Sequence, residues 1–208
     1  YSMTRLEQSL SDYIKDPRNQ IFNFTLGKCY EDIRQFSTAV GFYIRTAEYG
    51  ENLLLSYEAC LRIAICFEMI GRRTYTLKGI LLRAITILPS RPEAYFLMTR
   101  IYEINKDWHE AYAWAIVGKK IAEENEIKEL LFTDVQYPGE WGFLYERAVV
   151  SWWIGLYYES LNIFKMLEKN YKMFPIYETS VKSNISNIIN ILKNKGKYNE
   201  DELMLQEF

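Results

Sequence analysis

Few side chains in this 208-residue sequence are of the kind that make and break bonds, so each can be weighed in turn. His109 is the only histidine. One imidazole cannot build a multi-histidine metal site, and beside Trp108 at the start of a helix it reads as a surface residue. Cys29, Cys60 and Cys66 are odd in number, spread out and without a Cys-x-x-Cys pair. They read as small buried thiols in a reducing compartment. The acidic clusters, Glu123-Glu124 with Glu126 and Glu200-Asp201-Glu202, fall at helix ends or in the tail and read as solvated charge. No serine sits in a nucleophile elbow, and no cysteine has a base in evident reach. No catalytic residue, metal ligand or cofactor site is expected.

What remains is stacking and hydrogen bonding. The stretch from Pro138 to Leu161 holds Trp141, Trp152 and Trp153 with Tyr145, Tyr157 and Tyr158. Neighbouring residues on a helix point about 100° apart, so Trp152 and Trp153 cannot face the same partner. One indole packed between helices and the other half-exposed is one reading; core packing of both is the plainer one. Asn23-Phe-Thr25 and Asn184-Ile-Ser186 match the glycosylation pattern but lie inside predicted helices, and read as chance.

Composition narrows the classes. Apolar residues make up 49% and charged residues 25%, which excludes disorder. A net charge of −2 argues against the broad basic face that nucleic acid requires. No apolar run approaches the roughly 20 residues of a membrane span, and no signal-peptide pattern is read. With reduced thiols, the expectation is a cytoplasmic chain.

Periodicity is helical almost throughout, without an alternating strand pattern. Breaks at Asp16-Pro17, Gly50, Gly71, Pro89–Pro92, Tyr137–Gly139, Gly155 and Pro175 mark off helices of roughly 12–18 residues joined as antiparallel hairpins. A frame recurs within them: a small residue, an aromatic three on, a polar turn, then a second small position. The first small residues are Gly27, Ala64, Thr99 and Ala148; their partners are Ala39, Leu77, Ala111 and Ser160. The intervals suit a repeat of about 34 residues with an insertion before the last copy.

Leu26-Gly27, Tyr30, Ala39 and Tyr43 in the first copy, with Tyr95, Tyr102 and Ala111 in the third and Pro89 closing the second, resemble the tetratricopeptide repeat family. Leu77 and Ser151 depart from its pattern. The resemblance implies an all-α fold, a right-handed superhelical stack of antiparallel helix hairpins. A single domain over 1–208 is expected: an incoming helix at 3–15, about four repeats over 17–172 with an insertion at 125–140, and a capping helix and tail over 176–208. Residues 130–141 are too apolar for a solvated loop, so the insertion is expected to be ordered and packed.

A narrower likeness covers about residues 90–168. Arg91-Pro92-Glu93-Ala94, the run from Tyr137 to Trp141, Glu146 and Ile154-Gly155-Leu156-Tyr157-Tyr158-Glu159-Ser160 are similar to the tetratricopeptide-like region of some proteins that carry a family 2 glycosyltransferase module. The likeness implies an accessory helical region. The chain itself has no Asp-x-Asp and no Gly-rich strand-to-helix turn.

In such repeats the first helix of each hairpin lines a concave face. The residues this places there include Lys28, Arg62, Phe96, Arg100, Tyr145, Trp152 and Trp153. The three bases could form a track for an acidic or C-terminal peptide, unless Asp32, Glu58 and Glu103 neutralise them. The expected function is a non-catalytic protein-interaction scaffold whose partner is a protein or peptide, an adjoining glycosyltransferase module being one candidate. A free-standing peptide-binding adaptor is the alternative; a glycosyltransferase-type enzyme in its own right fits least.

Overall fold

The computed structural model describes residues 4–71 and 73–199. Glu200-Asp201-Glu202 and the rest of the expected tail lie outside the described residues. Among those described there are ten α-helices and no strand. In chain order they are α1 (Arg5–Lys15), α2 (Gln20–Asp32), α3 (Phe36–Tyr49), α4 (Leu53–Ile70), α5 (Thr74–Ile87), α6 (Glu93–Ile104), α7 (Trp108–Glu124), α8 (Glu140–Trp153), α9 (Tyr157–Asn170) and α10 (Pro175–Asn194). Local chemistry sets the starts. Thr4 and Glu7 form a reciprocal capping box on α1, Asn19 and Asn52 cap α2 and α4, and Pro175 opens α10 where its missing N–H costs nothing.

The repeat register is written into the backbone. Arg34, Gly71, Lys106 and Gly155 all have positive φ, and each lies four residues after Tyr30, Phe67, Tyr102 or Ser151, the aromatic position of the frame. At three of these ends the next amide reaches back to that carbonyl: Gln35 to Tyr30 at 2.9 Å, Asp107 to Tyr102 at 2.9 Å, Leu156 to Ser151 at 2.8 Å. This closure uses up carbonyls that a helix end leaves unpaired, then turns the chain into the second helix of its pair.

The chain falls into two compact units, Tyr1–Leu97 with Asn125–Tyr137, and Met98–Glu124 with Pro138–Phe208. The expected insertion is thus part of the first unit. In that unit α2, α3, α4 and α5 pack in sequence. A Cβ on Gly27 would stand 3.0 Å from the Tyr43 ring, so the small residue sets how closely α2 and α3 approach. Helix α4 is buried on nearly every side from Leu55 to Ala64. In the second unit the same device recurs. Thr99, Ala111, Ala148 and Ser160 are all buried, and the Ser160 hydroxyl donates to the Ala148 carbonyl at 2.6 Å. The three thiols are buried as expected, and burial pushes Cys60 up to about 11 and Cys66 up to about 12, which removes them from thiolate chemistry at neutral pH.

Two glycines give opposite expectations. A Cβ on Gly118 of α7 would lie 2.1 Å from Cε1 of the fully buried Phe143, whereas one on Gly41 of α3 meets nothing within 4 Å. Gly118→Ala should destabilise by about 1–3 kcal/mol through overpacking. Gly41→Ala should stabilise by about 0.5–1 kcal/mol through helix propensity. Urea midpoints of the two variants check the signs.

Candidate functional site

In the first unit, the segment following α7 lies against α4 and is held by polar groups. Glu58 accepts the amides of Phe132 and Thr133, both at 2.7 Å, and the Thr133 hydroxyl at 2.5 Å. One helical turn on, Arg62 donates to the Asp134 carbonyl at 2.8 Å and forks onto Glu31, which also accepts from the Tyr43 hydroxyl. Arg91 donates to the Glu129 carbonyl at 2.8 Å while paired with Glu93, and Glu93 accepts from Tyr57. Tyr137 meets Phe96 edge to face at 5.6 Å. Glu58 is wholly buried, and desolvation raises its pKa despite the amides that favour its charge.

These contacts place several residues expected at a groove surface. Arg62 and Phe96 are buried within the first unit rather than presented to a partner, because the segment 129–137 covers them. Lys28 pairs with Asp32 on its own helix. The bases expected to form one track therefore each stand beside a carboxylate. The insertion is packed as expected, but through backbone grips and Val135; Leu130 and Phe132, expected inside, are 86% and 57% exposed. The sequence signal for this grip was present: Glu58 and Arg62 are charges one turn apart in the otherwise apolar run from Tyr57 to Phe67.

Arg100, Tyr145, Trp152 and Trp153 come together in the second unit. They line a cleft of about 890 Å³ walled by α6, α8 and α10, with Phe164 of α9 at its base. Trp153 is 59% exposed and stacks in parallel on Trp108 at 5.2 Å; Trp152 leans on Tyr157 at 4.6 Å. Core packing of both indoles is thus corrected: the outward angle of Trp153 leaves it no hairpin to enter. Opposite, α10 offers Ser180, Asn184 and Asn187 along one face, with Ser180 bonded to the Tyr145 hydroxyl at 2.7 Å.

The cleft holds a carboxyl pair that sequence reasoning missed. Glu146 is 4% exposed and lines the cleft together with Glu103 and Arg100. Burial first, then Glu103, holds the Glu146 pKa well above the carboxylate range, while Arg100 pulls it down. Two carboxyls that raise one another in this way keep a proton more readily than either would alone. Glu103 had been assigned only to neutralising a base, and Glu146 only to a motif; nothing in their spacing along the chain joins α6 to α8.

Among the described residues no cluster of His, Cys, Asp or Glu has the makings of a metal site, and no helix is long and apolar enough to cross a membrane. No family profile and no curated protein matches the chain. Solved structures do resemble it. A crystal structure of MamA shares 16% identity over 93% of this chain and 90% of that one, with a TM-score of 0.56. The APC/C hetero-tetramer Cut9-Hcn1 shares 14% over 94% of this chain and 35% of that one, with a TM-score of 0.62. A kinesin light chain from Podosopora anserina with nearly identical TPR-like repeats shares 14% over 90% and 92%, with a TM-score of 0.59. At such identities it is the fold that is shared, and that fold is TPR-like.

Glu58→Ala removes the acceptor of two strap amides and a hydroxyl, so it should destabilise by about 1–3 kcal/mol and open residues 130–138 to protease. Limited proteolysis of wild type and variant checks this; equal resistance would show that the grip is dispensable. The carboxyl pair yields a pH dependence. Glu146 loses its proton near the ordinary carboxylate value when unfolded and only above it when folded. Between those values the folded state binds more protons, so this residue's contribution to stability falls as pH rises. Glu146→Gln keeps a donor toward Glu103 without the charge. Its stability relative to wild type should therefore grow as pH is raised from about 4.5, measured by urea midpoints across a pH series.

Proposed function

We propose that this chain is a non-catalytic interaction module and that its ligand groove is the cleft between α6, α8 and α10. The observation that carries this reading is the cleft itself. Its walls combine aromatic faces with a row of hydroxyl and amide groups, the lining that suits an extended peptide: rings for side chains, amides for its backbone. The concave face of the first unit, in contrast, is already filled. The chain's own segment 129–137 takes the place there of a bound peptide, with its amides on Glu58 and its carbonyls on Arg62 and Arg91. The TPR-like fold of Cut9, found in a hetero-tetramer with Hcn1, supports an assembly role.

The likeness to helical regions of glycosyltransferase-bearing proteins fits the same role, with an adjoining module as one partner. The residues that carry it have packing tasks. Arg91 and Glu93 hold the strap, Trp141 packs on Tyr177 at 4.9 Å, and Glu159 pairs with Arg147 and accepts from Tyr112 at 2.9 Å. Such residues suit an accessory region rather than a catalytic one.

The test uses a random linear dodecapeptide display library against the full chain. Selected peptides should bind with micromolar to millimolar affinity, the range of small exposed interfaces. Binding should be lost in Asn187→Trp, where a bulky ring on an exposed wall position fills the cleft. Peptides that bind wild type and Asn187→Trp equally would move the interaction surface elsewhere.

A further inference from the structure

Resting on the reading of this cleft as a peptide groove, we propose that its occupant is a peptide that presents an arginine or lysine side chain to Glu103 and Glu146. The charge balance of the lining argues for it. Among the described lining residues there are two carboxyl groups and one base, Arg100. Burial of Glu146 in the same lining as Glu103 favours its protonated form, and that proton makes up the difference. A cationic side chain placed there would make up the same difference with hydrogen bonds of its own, since guanidinium and ammonium groups are donors only and carboxylates acceptors only.

The walls suit the stem and face of such a side chain. Tyr145, Trp152 and Tyr177 line the cleft beside the pair, and an aromatic face attracts a cation within about 6 Å of its centre. The stem of an arginine or lysine is apolar and lies well along such rings. An acidic peptide, the occupant expected from the sequence, would bring a third carboxylate to the two that already line the cleft, and like charge opposes that. Ser180 is bonded to Tyr145 and Asn184, so it is the amides of Asn184 and Asn187 that can meet a backbone, which is why the occupant is a peptide and not a free small cation.

Binding should depend on pH. The groups facing Glu146 are Glu103 and Arg100 of α6, Tyr145 on its own helix and Tyr177 of α10. Both tyrosines are raised by burial, so neither ionises near neutrality. The carboxyl pair is then the group whose proton a bound cation displaces, and affinity should rise with pH until that proton is gone.

The experiment sequences the peptides that the dodecapeptide library yields against wild type and that fail on Asn187→Trp. It then measures their affinity for Glu103→Gln and Glu146→Gln, with circular dichroism confirming that both are folded. Enrichment in arginine or lysine, a loss of about tenfold in each variant and tighter binding at higher pH are expected. Cleft-dependent peptides without basic residues, or affinities unchanged in both variants, would overturn the assignment of the occupant and leave the groove reading standing. Recovery of no cleft-dependent peptide would overturn both.

Discussion

Helices can lie at close range only where one of them carries little or no side chain, and the positions where this holds govern the rest of the molecule. Gly27 against the Tyr43 ring, Ser160 bonded to the Ala148 carbonyl and Gly118 beneath Phe143 are three instances with the same consequence. Close approach lets the large residues of a pair pack on each other, as Phe24 does on Tyr43, and on the next helix, where Leu55, Ala59 and Ile63 join the same core. A pair alone would leave that surface wet, so each is stable only beside a neighbour. The four positive-φ turns, all at the same offset from the frame's aromatic position, hold the pairs in register.

Against that repeating background the strap is an exception that a repeat cannot generate. Helix α4 is buried from Leu55 to Ala64, yet carries there Glu58 and Arg62, charges whose burial is costly unless they are paired and fully hydrogen-bonded. The segment 129–137 supplies the partners. Its amides satisfy one charge and its carbonyl the other, and Glu31 balances the guanidinium. The cost of burying those charges ties a stretch without helix to a fixed place, while Leu130 and Phe132, apolar as they are, remain outside. Polar grip, not apolar burial, orders this insertion.

The second unit has a comparable charge problem with a different solution. Glu146 is nearly as buried as Glu58 but shares its surroundings with another carboxyl rather than with backbone amides, and a proton takes the place of a partner. A site satisfied by a proton can be satisfied by another cation, whereas a site satisfied by two amides and a hydroxyl has nothing left to exchange. That contrast separates a buried charge that builds the fold from one that could serve recognition.

The helices, their pairing and the repeat frame were legible in the residue order, because 3.6-residue periodicity, small residues and turn signals act over a few residues at a time. Arg100, Tyr145, Trp152 and Trp153 were legible for the same reason: the frame puts each of them on the first helix of a hairpin. Which charges are left to recognise anything was settled by the fold. Arg62 and Glu58 are answered by residues some 70 positions later, and Glu103 meets Glu146 across two helices that no local pattern links. Electrostatic partnership depends on distance in space and on exclusion of water, and neither is encoded in the spacing of residues along a chain.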